Sequence, residues 1–305
     1  MKDVLARAAA QISNVVLGKP DQVRLSIACL LANGHLLIED LPGMGKTTLA
    51  HALARTFSLD FNRVQFTSDM LPADIIGVSI FDPDTRKFTL REGPVFCQLL
   101  LADEINRATP KTQGALLEAM EERQVTLDGA TRALPEPFFV VATQNPVTQA
   151  GTFPLPESQL DRFLMRISLG YPAADVERQL LAGEDRRQAS LALPPVIELP
   201  ALQKLMALVT RVRASNDLVD YVQRILACSR DSGLFVAGLS PRAGLGLLRA
   251  ARAWALLGSR DYVIPEDVQT VLGPVVEHRL SPVSGGATGT ATQQLLEAVP
   301  VVRGS

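Results

Sequence analysis

The sequence predicts an α/β domain, built on a parallel sheet flanked by helices, followed by a smaller all-helical domain. Short apolar strand patterns alternate with amphipathic helix patterns as far as the stretch RISLGYP, which ends at Pro172. Beyond it, ALQKLMALVTRV, DYVQRILACS and RAGLGLLRAARAWALL show helical periodicity with no strand pattern. We therefore predict an α/β domain over residues 1–172 and a helical domain over residues 173–305.

Composition limits the classes of protein that need to be considered. The chain has 305 residues, of which 47% are hydrophobic, so it can bury a sizeable core. No apolar run approaches the roughly 18 residues of a membrane span, and the start MKDVLARAAAQISNVVL reads as an amphipathic helix rather than a signal. These features predict a cytoplasmic protein without a membrane span. A net charge of −2 gives no strong nucleic-acid signal.

The cysteines and histidines are too scattered to suggest a catalytic or metal site. The three cysteines form no C-x-x-C pair and have no histidine at ligand spacing, so we interpret them as core thiols. The histidines are better read as surface or satisfied core residues than as bases or ligands. The six residues concerned are Cys29, Cys97, Cys228, His35, His51 and His278.

The first strand leads into a candidate phosphate-binding loop, LIEDLPGMGKTT. Gly45, Lys46 and Thr47 match the end of the pattern G-x-x-x-x-G-K-[ST], but Asp40 stands where the first glycine is expected. HLLIED before the loop is a short apolar strand, and KTTLAHALARTFSL after it has helical periodicity. Gly43 and Gly45 still permit the positive dihedral angles and close backbone approach that a phosphate needs. The segment therefore predicts a nucleotide site despite Asp40.

A second apolar strand ends in two acids, in the stretch QLLLADEINRA. Leu99 to Ala102 form the strand, and Asp103 and Glu104 follow at its carboxyl end. Ligands of open α/β sheets bind at this edge, so Asp103 could hold Mg²⁺ through water while Glu104 faces an attacking water. Taken alone, paired acids also fit a solvated strand end. The phosphate loop upstream favours the catalytic interpretation.

A third apolar strand, PFFVVATQNP, ends in Thr143, Gln144 and Asn145. Its polar end fits a turn before Pro146 as well as it fits an amide that senses phosphate. The strand alone leaves both alternatives open.

Two segments with alternating patterns predict β-hairpins. VSIFDPDTRKFTLREG turns over residues 82–85, and RQVTLDGATRAL turns at Asp128-Gly129. Asp82 and Asp84 do not indicate calcium, because the loop lacks the glycine and the distal glutamate of an EF-hand.

The order of these motifs resembles the MoxR family of AAA+ ATPases. The resemblance rests on LIEDLPGMGKTTLA, LLLADEINRATPKTQGALLEAMEERQVTLDG, VVATQNPVTQAGTFPLPESQLDRF and GLSPRAGLGLLRAARAWALLGSRDYVIPEDV, and runs from about residue 12 to about residue 280. It implies an AAA+ P-loop ATPase core with hairpin insertions, followed by a helical lid. An acid at position 40 looks like a form common in the family. The two hairpins would face the central pore of a ring.

The resemblance implies ATP and Mg²⁺ as cofactors and assigns residues to them. Lys46 would neutralise the β- and γ-phosphates, and Thr47 and Asp103 would hold the metal. Val16, Leu17 and Gly18 are a guess for the adenine pocket. The residues expected to bind the cofactors are Pro42, Gly43, Met44, Gly45, Lys46, Thr47, Thr48 and Asp103.

Four residues receive catalytic roles from the same resemblance. Glu104 would be the general base or water-orienting group, and Asn145 would be sensor 1. Arg242, in SPRAG, matches the sensor 2 position, with an ordinary surface arginine as its alternative. Arg162, in LDRF, matches the arginine finger given to a neighbouring subunit, with Arg166 as a substitute. Arg162 could instead pair with a nearby acid and brace the fold.

The function implied is ATP-driven, chaperone-like remodelling or maturation of a partner protein or metalloenzyme complex. The expected assembly is a homo-oligomer, a hexameric ring, and the expected client or adaptor carries a von Willebrand factor A domain. One alternative is a nucleic-acid motor of the same branch, which predicts a basic pore hairpin. Another is a nucleotide-dependent binding switch with negligible turnover, against which Glu104 and Asn145 argue.

Overall fold

The computed structural model describes residues 2–84, 86–145, 152–182, 186–283 and 289–301. Thr85, at the predicted turn of the first hairpin, and residues 146–151, after the third predicted strand, lie outside the described residues. Among the described helices none is long and apolar enough to cross a membrane.

The first part of the chain alternates strands and helices, as predicted. Pro20 opens the second helix, where its fixed φ is suited to the first turn and its missing N–H has no partner to lose. A single 3₁₀ turn covers Ile105–Arg107. The helices and strands are α1 (Lys2–Ser13), α2 (Pro20–Leu31), β1 (Leu36–Glu39), α3 (Lys46–Thr56), β2 (Phe61–Gln65), α4 (Pro72–Ile76), β3 (Gly77–Asp82), β4 (Lys87–Glu92), β5 (Leu99–Asp103), α5 (Pro110–Glu122), β6 (Gln124–Leu127), β7 (Ala130–Ala133), β8 (Phe139–Gln144), α6 (Glu157–Leu160) and β9 (Met165–Ile167).

Five of these strands form one parallel sheet in the order β2-β5-β8-β1-β9. The three strands predicted from the sequence are β1, β5 and β8, which lie side by side at its centre. Leu36 is in register with Val141, and Leu99 with Phe139, so the carboxyl ends of the three strands meet at one edge. The prediction of a parallel α/β core is confirmed.

Both faces of the sheet are buried, and successive strand residues enter different hydrophobic cores. Leu36 and Ile38 pack in a core with α1, α2 and α3, whereas Leu37 packs in a second core with α5. The same alternation holds along β5, where Leu99 and Leu101 enter the first core and Leu100 the second. A parallel sheet covered on both sides accounts for the continuous apolar runs.

The two predicted hairpins are present as separate two-stranded antiparallel sheets, β3–β4 and β6–β7. In the second hairpin, Asp128 and Gly129 both have positive φ, 49° and 78°, as a tight hairpin turn of right-handed twist requires. The first hairpin leaves apolar side chains exposed: Val78, Ile80, Phe81 and Phe88, the last by 72%.

After β9 the described chain is helical. Ser215 and Ser240 begin two of the helices, and their hydroxyls accept hydrogen bonds from the backbone N–H groups of Leu218 and Ala243. The helices are α7 (Ala174–Ala182), α8 (Arg186–Leu191), α9 (Leu199–Val209), α10 (Asn216–Asp231), α11 (Pro241–Leu257), α12 (Pro265–Val276) and α13 (Ala291–Ala298). The prediction that a helical part follows the parallel sheet is confirmed, and its first helix, α7, begins at Ala174.

The later helices share a core with the sheet. Side chains of α9 to α13 belong to the same hydrophobic cluster as α1, α2, α3 and one sheet face. Arg24 of α2 also lies over the ring of Trp254 in α11, 4.5 Å from its centroid. The helical part therefore packs, through this shared apolar core, against the side of the α/β part that carries α1, α2 and α3.

Two of the cysteines and His35 lie in the protein core. Cys29 and Cys97 are fully buried, which raises the pKa of both thiols, that of Cys97 to about 12, while Cys228 is half-buried. His35 is buried and hydrogen-bonded on both ring nitrogens. The described residues hold no group of three or more His, Cys, Asp and Glu side chains that could bind a metal ion.

Candidate active site

The phosphate loop joins β1 to α3 at the carboxyl edge of the sheet. Gly43 and Gly45 have φ values of 86° and 89°, which side-chain-bearing residues rarely adopt, and Gly45 directly precedes α3. A Cβ atom added to either glycine would meet nothing within 4 Å, so their backbones border open space. The helix N-terminus is thus exposed to any anion in that space.

Lys46 reaches across this loop rather than into solvent. Its Nζ donates to the backbone oxygen of Asp40 at 2.6 Å and lies 3.5 Å from Oδ1 of Asn145. Only 8% of the residue is exposed. Burial lowers the pKa of Lys46, and the negative charges of Asp40, Asp103 and Glu104 oppose that shift. The Lys46 side chain is therefore held between the loop and the strand ends.

Asp103 is fixed on both carboxylate oxygens at the end of β5. Its Oδ1 accepts from the hydroxyl of Thr143 at 2.6 Å, and its Oδ2 pairs with Arg63 of β2 at 2.7 Å. The same Thr143 hydroxyl accepts the backbone N–H of Glu104 at 2.8 Å. Thr143, whose role the sequence left open, thus links two neighbouring strand ends.

Glu104 is held in a network of three side chains. Oε1 accepts from Nδ2 of Asn145 at 3.2 Å, and Oε2 accepts from Nε2 of Gln65 at 2.8 Å and pairs with Nε of Arg107 at 2.8 Å. Its backbone has φ of 55°, an uncommon conformation for a residue other than glycine. Such strain is often found at functional sites. A carboxylate in this position can take a proton from a water that Asn145 orients.

The phosphate loop and the strand ends beside it line one cavity of about 340 Å³. Thr47 and Asp103 bring hydroxyl and carboxylate oxygens to the same space as the loop, the donor type that Mg²⁺ prefers while it keeps several waters. The residues therefore fit a hydrated magnesium ion. The lining residues are Pro42, Gly43, Gly45, Lys46, Thr47, Thr48, Arg63, Gln65, Asp103, Glu104 and Asn145.

A second, more apolar cavity of about 260 Å³ adjoins the first and shares Gly43, Gly45 and Thr48 with it. It is lined by Val16 and Leu17 from the suggested adenine pocket, and by Met44, which the first cavity lacks. Gly18 does not line it. A Cβ atom at Gly18 would lie 3.1 Å from Val176 of α7, so this glycine instead allows close packing beside the cavity.

Arg162 and Arg242 lie outside both cavities, at the opposite edge of the sheet. Glu121, near the end of α5, pairs with both: its Oε2 lies 3.0 Å from Nε of Arg162, and its Oε1 bonds NH2 of Arg242. The hydrogen bond from Arg242 is the main reason that the pKa of Glu121 is lowered. Asn33 and His35, which precede β1, line the same 210 Å³ cavity as the two arginines.

Arg166 has a different environment. It lies within β9, and its NH1 pairs with Oε2 of Glu39 in β1 at 2.8 Å. The segment that carries Arg162 is instead held by Arg279, whose Nε bonds Oδ1 of Asp161 at 2.7 Å. Arg162 therefore pairs with Glu121 and not with the acids adjacent to it in sequence.

Several site residues were not identified from the sequence. Arg63 and Gln65 lie on β2, a strand that was not predicted, and Arg107 and Glu121 were not singled out. The alternation in FNRVQF places Arg63 and Gln65 on one face of a strand. Only the pairing of β2 with β5, which sets Gln65 opposite Asp103, brings them to the acids.

Comparison with known proteins gives consistent results. The sequence matches the family described as ATPase family associated with various cellular activities (AAA) over residues 35–165, and an AAA lid domain over residues 229–299. A crystal structure of a Cytophaga hutchinsonii protein superposes with a TM-score of 0.86 at 34% identity, covering 98% of this chain and 93% of that one.

Several proteins of known sequence can be aligned with most of this chain. The protein YeaC of Bacillus subtilis is 47% identical over 91% of this chain and 87% of its own length. Chaperone MoxR1 of Mycobacterium tuberculosis is 42% identical over 90% of this chain and 75% of its own. Protein MoxR of Paracoccus denitrificans is 35% identical over 90% and 87%. With the nucleotide-binding loop, the acids at the end of β5 and the helical lid in place, the chain belongs to the MoxR family of AAA+ ATPases.

Proposed function

We propose that the chain hydrolyses ATP with Mg²⁺ within a homo-oligomeric, hexameric ring, and that hydrolysis drives remodelling of a partner protein. The observation that carries the proposal is the separation of charged groups between the two edges of the sheet. The phosphate loop and the acids lie at the carboxyl edge, and the Arg162–Arg242 pair lies at the amino edge. One chain therefore has both halves of a hydrolytic site, facing away from each other.

At the carboxyl edge, each residue has a chemical task that its surroundings support. Lys46 and the N–H groups at the start of α3 bind the phosphates, and Thr47 and Asp103 would hold the magnesium ion. That ion, when bound, neutralises charge that develops on the phosphates. Glu104 takes a proton from the attacking water, and Asn145, within reach of both Glu104 and Lys46, orients that water.

At the amino edge, Arg162 and Arg242 are proposed to act on the nucleotide of the adjacent subunit. Their shared partner Glu121 keeps both guanidinium groups side by side and partly exposed. Arg166 is a poorer candidate because of its position: it pairs with Glu39 beside the loop of its own chain and does not line the cavity that Arg162 and Arg242 share. Arg242 is thus proposed as a second trans-acting arginine rather than as a sensor within its own subunit.

The client is proposed to be a polypeptide. The β3–β4 hairpin exposes Val78, Ile80, Phe81 and Phe88, with the two phenylalanine rings 5.3 Å apart, as a surface that would contact apolar side chains. Residues 77–92 carry three acids and three bases, which does not provide the basic hairpin that a nucleic-acid motor predicts. The name of the relative MoxR1 and the family resemblance support a chaperone role, with a von Willebrand factor A domain protein as adaptor.

The decisive experiment compares wild type with Lys46→Ala. The Lys46 ammonium group contacts the backbone oxygen of Asp40 and lies near Asn145. We expect the variant to fold and to show no ATP binding by calorimetric titration, because it loses the positive charge that faces the phosphates. Wild type should bind ATP and release phosphate with Mg²⁺, and release should stop when EDTA removes the metal. Equal ATP affinity in wild type and Lys46→Ala would refute the assignment of the loop. Phosphate release that persists in EDTA would refute the metal.

A further inference from the structure

Asp40, which occupies the first glycine position of the phosphate-loop pattern, has a carboxylate with four hydrogen bonds. Oδ1 accepts the N–H of Leu41 at 2.9 Å. Oδ2 accepts the N–H groups of Leu169 and Gly170, both at 2.7 Å, and the hydroxyl of Ser168 at 3.1 Å. The residue is 8% exposed, and its carboxylate forms no ion pair with the described residues. Three of the four donors to this buried carboxylate are backbone N–H groups.

The donors belong to a segment that borders the apolar cavity. Residues 168–173, which we call the strap, connect β9 to α7. Gly170 and Pro172 of the strap and Leu180 of α7 line the apolar cavity together with Val16 and Leu17. Gly170 has φ of 62°, a conformation that glycine adopts readily, and its N–H donates to Asp40.

Asp40 thus stands between the two cavities. Its backbone oxygen accepts the Lys46 Nζ that serves the phosphate cavity, and its carboxylate holds the strap that walls the apolar cavity. A glycine at position 40 would keep the first contact and lose the second. The loop's need for flexibility is already met by Gly43 and Gly45.

We propose that Asp40 is a positioning residue that couples the phosphate loop to the base-binding wall, so that the base and the phosphates of a nucleotide are bound as one unit. The proposal rests on the proposed nucleotide function. Without the carboxylate, the strap would lose three charge-assisted hydrogen bonds, and the apolar cavity would lose a fixed wall. In the phosphate cradle, Gly43, Gly45 and the contact of Lys46 with the backbone oxygen of residue 40 would remain, and only the hydrogen bond to the N–H of Leu41 would be lost.

The test replaces Asp40 with the glycine of the common pattern and compares two ligands by calorimetric titration. In Asp40→Gly we expect ATP affinity to fall about 10- to 100-fold, the effect of losing a hydrogen bond to a charged group. Affinity for inorganic tripolyphosphate, which has no base, should stay within about twofold of wild type because the glycines and the Lys46 contact of the cradle remain. Glu39→Gln, the neighbouring acid on β1, is the control and should leave the ratio of the two affinities unchanged.

Other outcomes separate the rival explanations. An equal loss for both ligands would mean that Asp40 shapes the phosphate loop itself, and no loss for either would mean that the strap does not need it; both overturn the proposal. Wild type that binds neither ligand would instead refute the proposed nucleotide function. If Asp40→Gly does not fold, Asp40→Asn serves for the same comparison. It retains one acceptor oxygen, so a smaller fall in ATP affinity alone is expected, with faster amide exchange at Leu169 and Gly170.

Discussion

The orientation of the Glu104 carboxylate is set by the side chains that bond to it. Glu104 is held by Asn145, Gln65 and Arg107, and its backbone is in a left-handed conformation. Three donors on one carboxylate fix its direction. At this scale the structure supports a base aimed into the phosphate cavity rather than a solvated strand end.

Glu104→Gln tests this role with little change of shape. We expect ATP affinity to be retained, because Lys46 and the loop are untouched, and turnover to fall by about 10² to 10⁴, as for a lost general base. Steady-state phosphate release and calorimetric titration measure the two quantities. Glu118→Gln, an exposed position on α5, is the matched control and should behave as wild type. Unchanged turnover in Glu104→Gln would remove Glu104 from the mechanism, and negligible turnover in wild type as well would favour the alternative of a binding switch.

At the level of elements, one buried histidine links the start of a central strand to its neighbours. His35, just before β1, has its Nδ1 3.1 Å from the N–H of Val140 in β8 and its Nε2 3.1 Å from the backbone oxygen of Met120 in α5. Nδ1 must accept and Nε2–H must donate, so only the neutral ring satisfies both. Burial, and then the charge of Arg123, lower the pKa of His35 to about 3.

This pKa predicts acid sensitivity. Between about pH 3 and pH 6.5 the unfolded chain binds a proton at His35 that the folded chain does not. Stability is therefore fully present above 6.5 and declines as the pH falls, by up to about 1.4 kcal/mol per pH unit from this group. In His35→Gln, urea unfolding between pH 4 and pH 6 should show a pH slope shallower by up to that amount.

A control for the histidine prediction comes from the same two proteins at pH 7 to 8. There the ring is neutral in both states, so wild type and His35→Gln should differ by a constant free energy of unfolding. Identical slopes below pH 6 would mean that His35 is protonated in the folded protein, contrary to its two hydrogen bonds.

At the scale of the whole molecule, the helical part helps to set the positions of Arg162 and Arg242. Arg279, beyond the end of α12, has a side chain that is only 6% exposed and donates to Asp161 and to the backbone oxygen of Phe163, at 2.7 and 2.6 Å. Arg242 comes from α11 and Arg162 from the segment that Arg279 holds. The helical part and the sheet together therefore build the arginine pair at the edge away from the phosphate cavity.

If this pair acts on a neighbouring subunit, two inactive variants should restore each other. Arg162→Ala keeps a complete phosphate cavity and Glu104→Gln keeps a complete arginine pair. Each alone should bind ATP and hydrolyse it poorly, with the arginine contributing about 10³ to 10⁵ in rate as in related enzymes. A one-to-one mixture with verified subunit exchange should release phosphate faster than the average of the two.

Glu121→Gln is the matched control for a bracing role. It removes the ion pair with Arg162 but leaves the arginine in place, so it should retain much more turnover than Arg162→Ala. Equal defects in the two variants, with no gain on mixing, would make Arg162 a brace of the fold and would remove it from the neighbouring site.

The local parts of this protein could be predicted from its sequence. They are the three central strands, the phosphate loop, the acids at the end of β5, the two hairpins and the later helices. All follow from periodicity, glycine placement and turn residues, because these signals act over a few neighbouring residues. The family resemblance then supplied roles for Lys46, Glu104 and Arg162, which the geometry accommodates and experiment must test.

Which distant residues meet could be seen only in the folded protein. β2 had a weak pattern, and its pairing with β5 brings Arg63 and Gln65 to the acids across about 40 residues of chain. The sequence likewise gave no sign that Glu121 would join Arg162 to Arg242, or that Asp40 would bond the strap some 130 residues later. These contacts depend on strand order and on the packing of the helices against the sheet. Such long-range choices are set by the burial of whole faces, which no short stretch of sequence encodes.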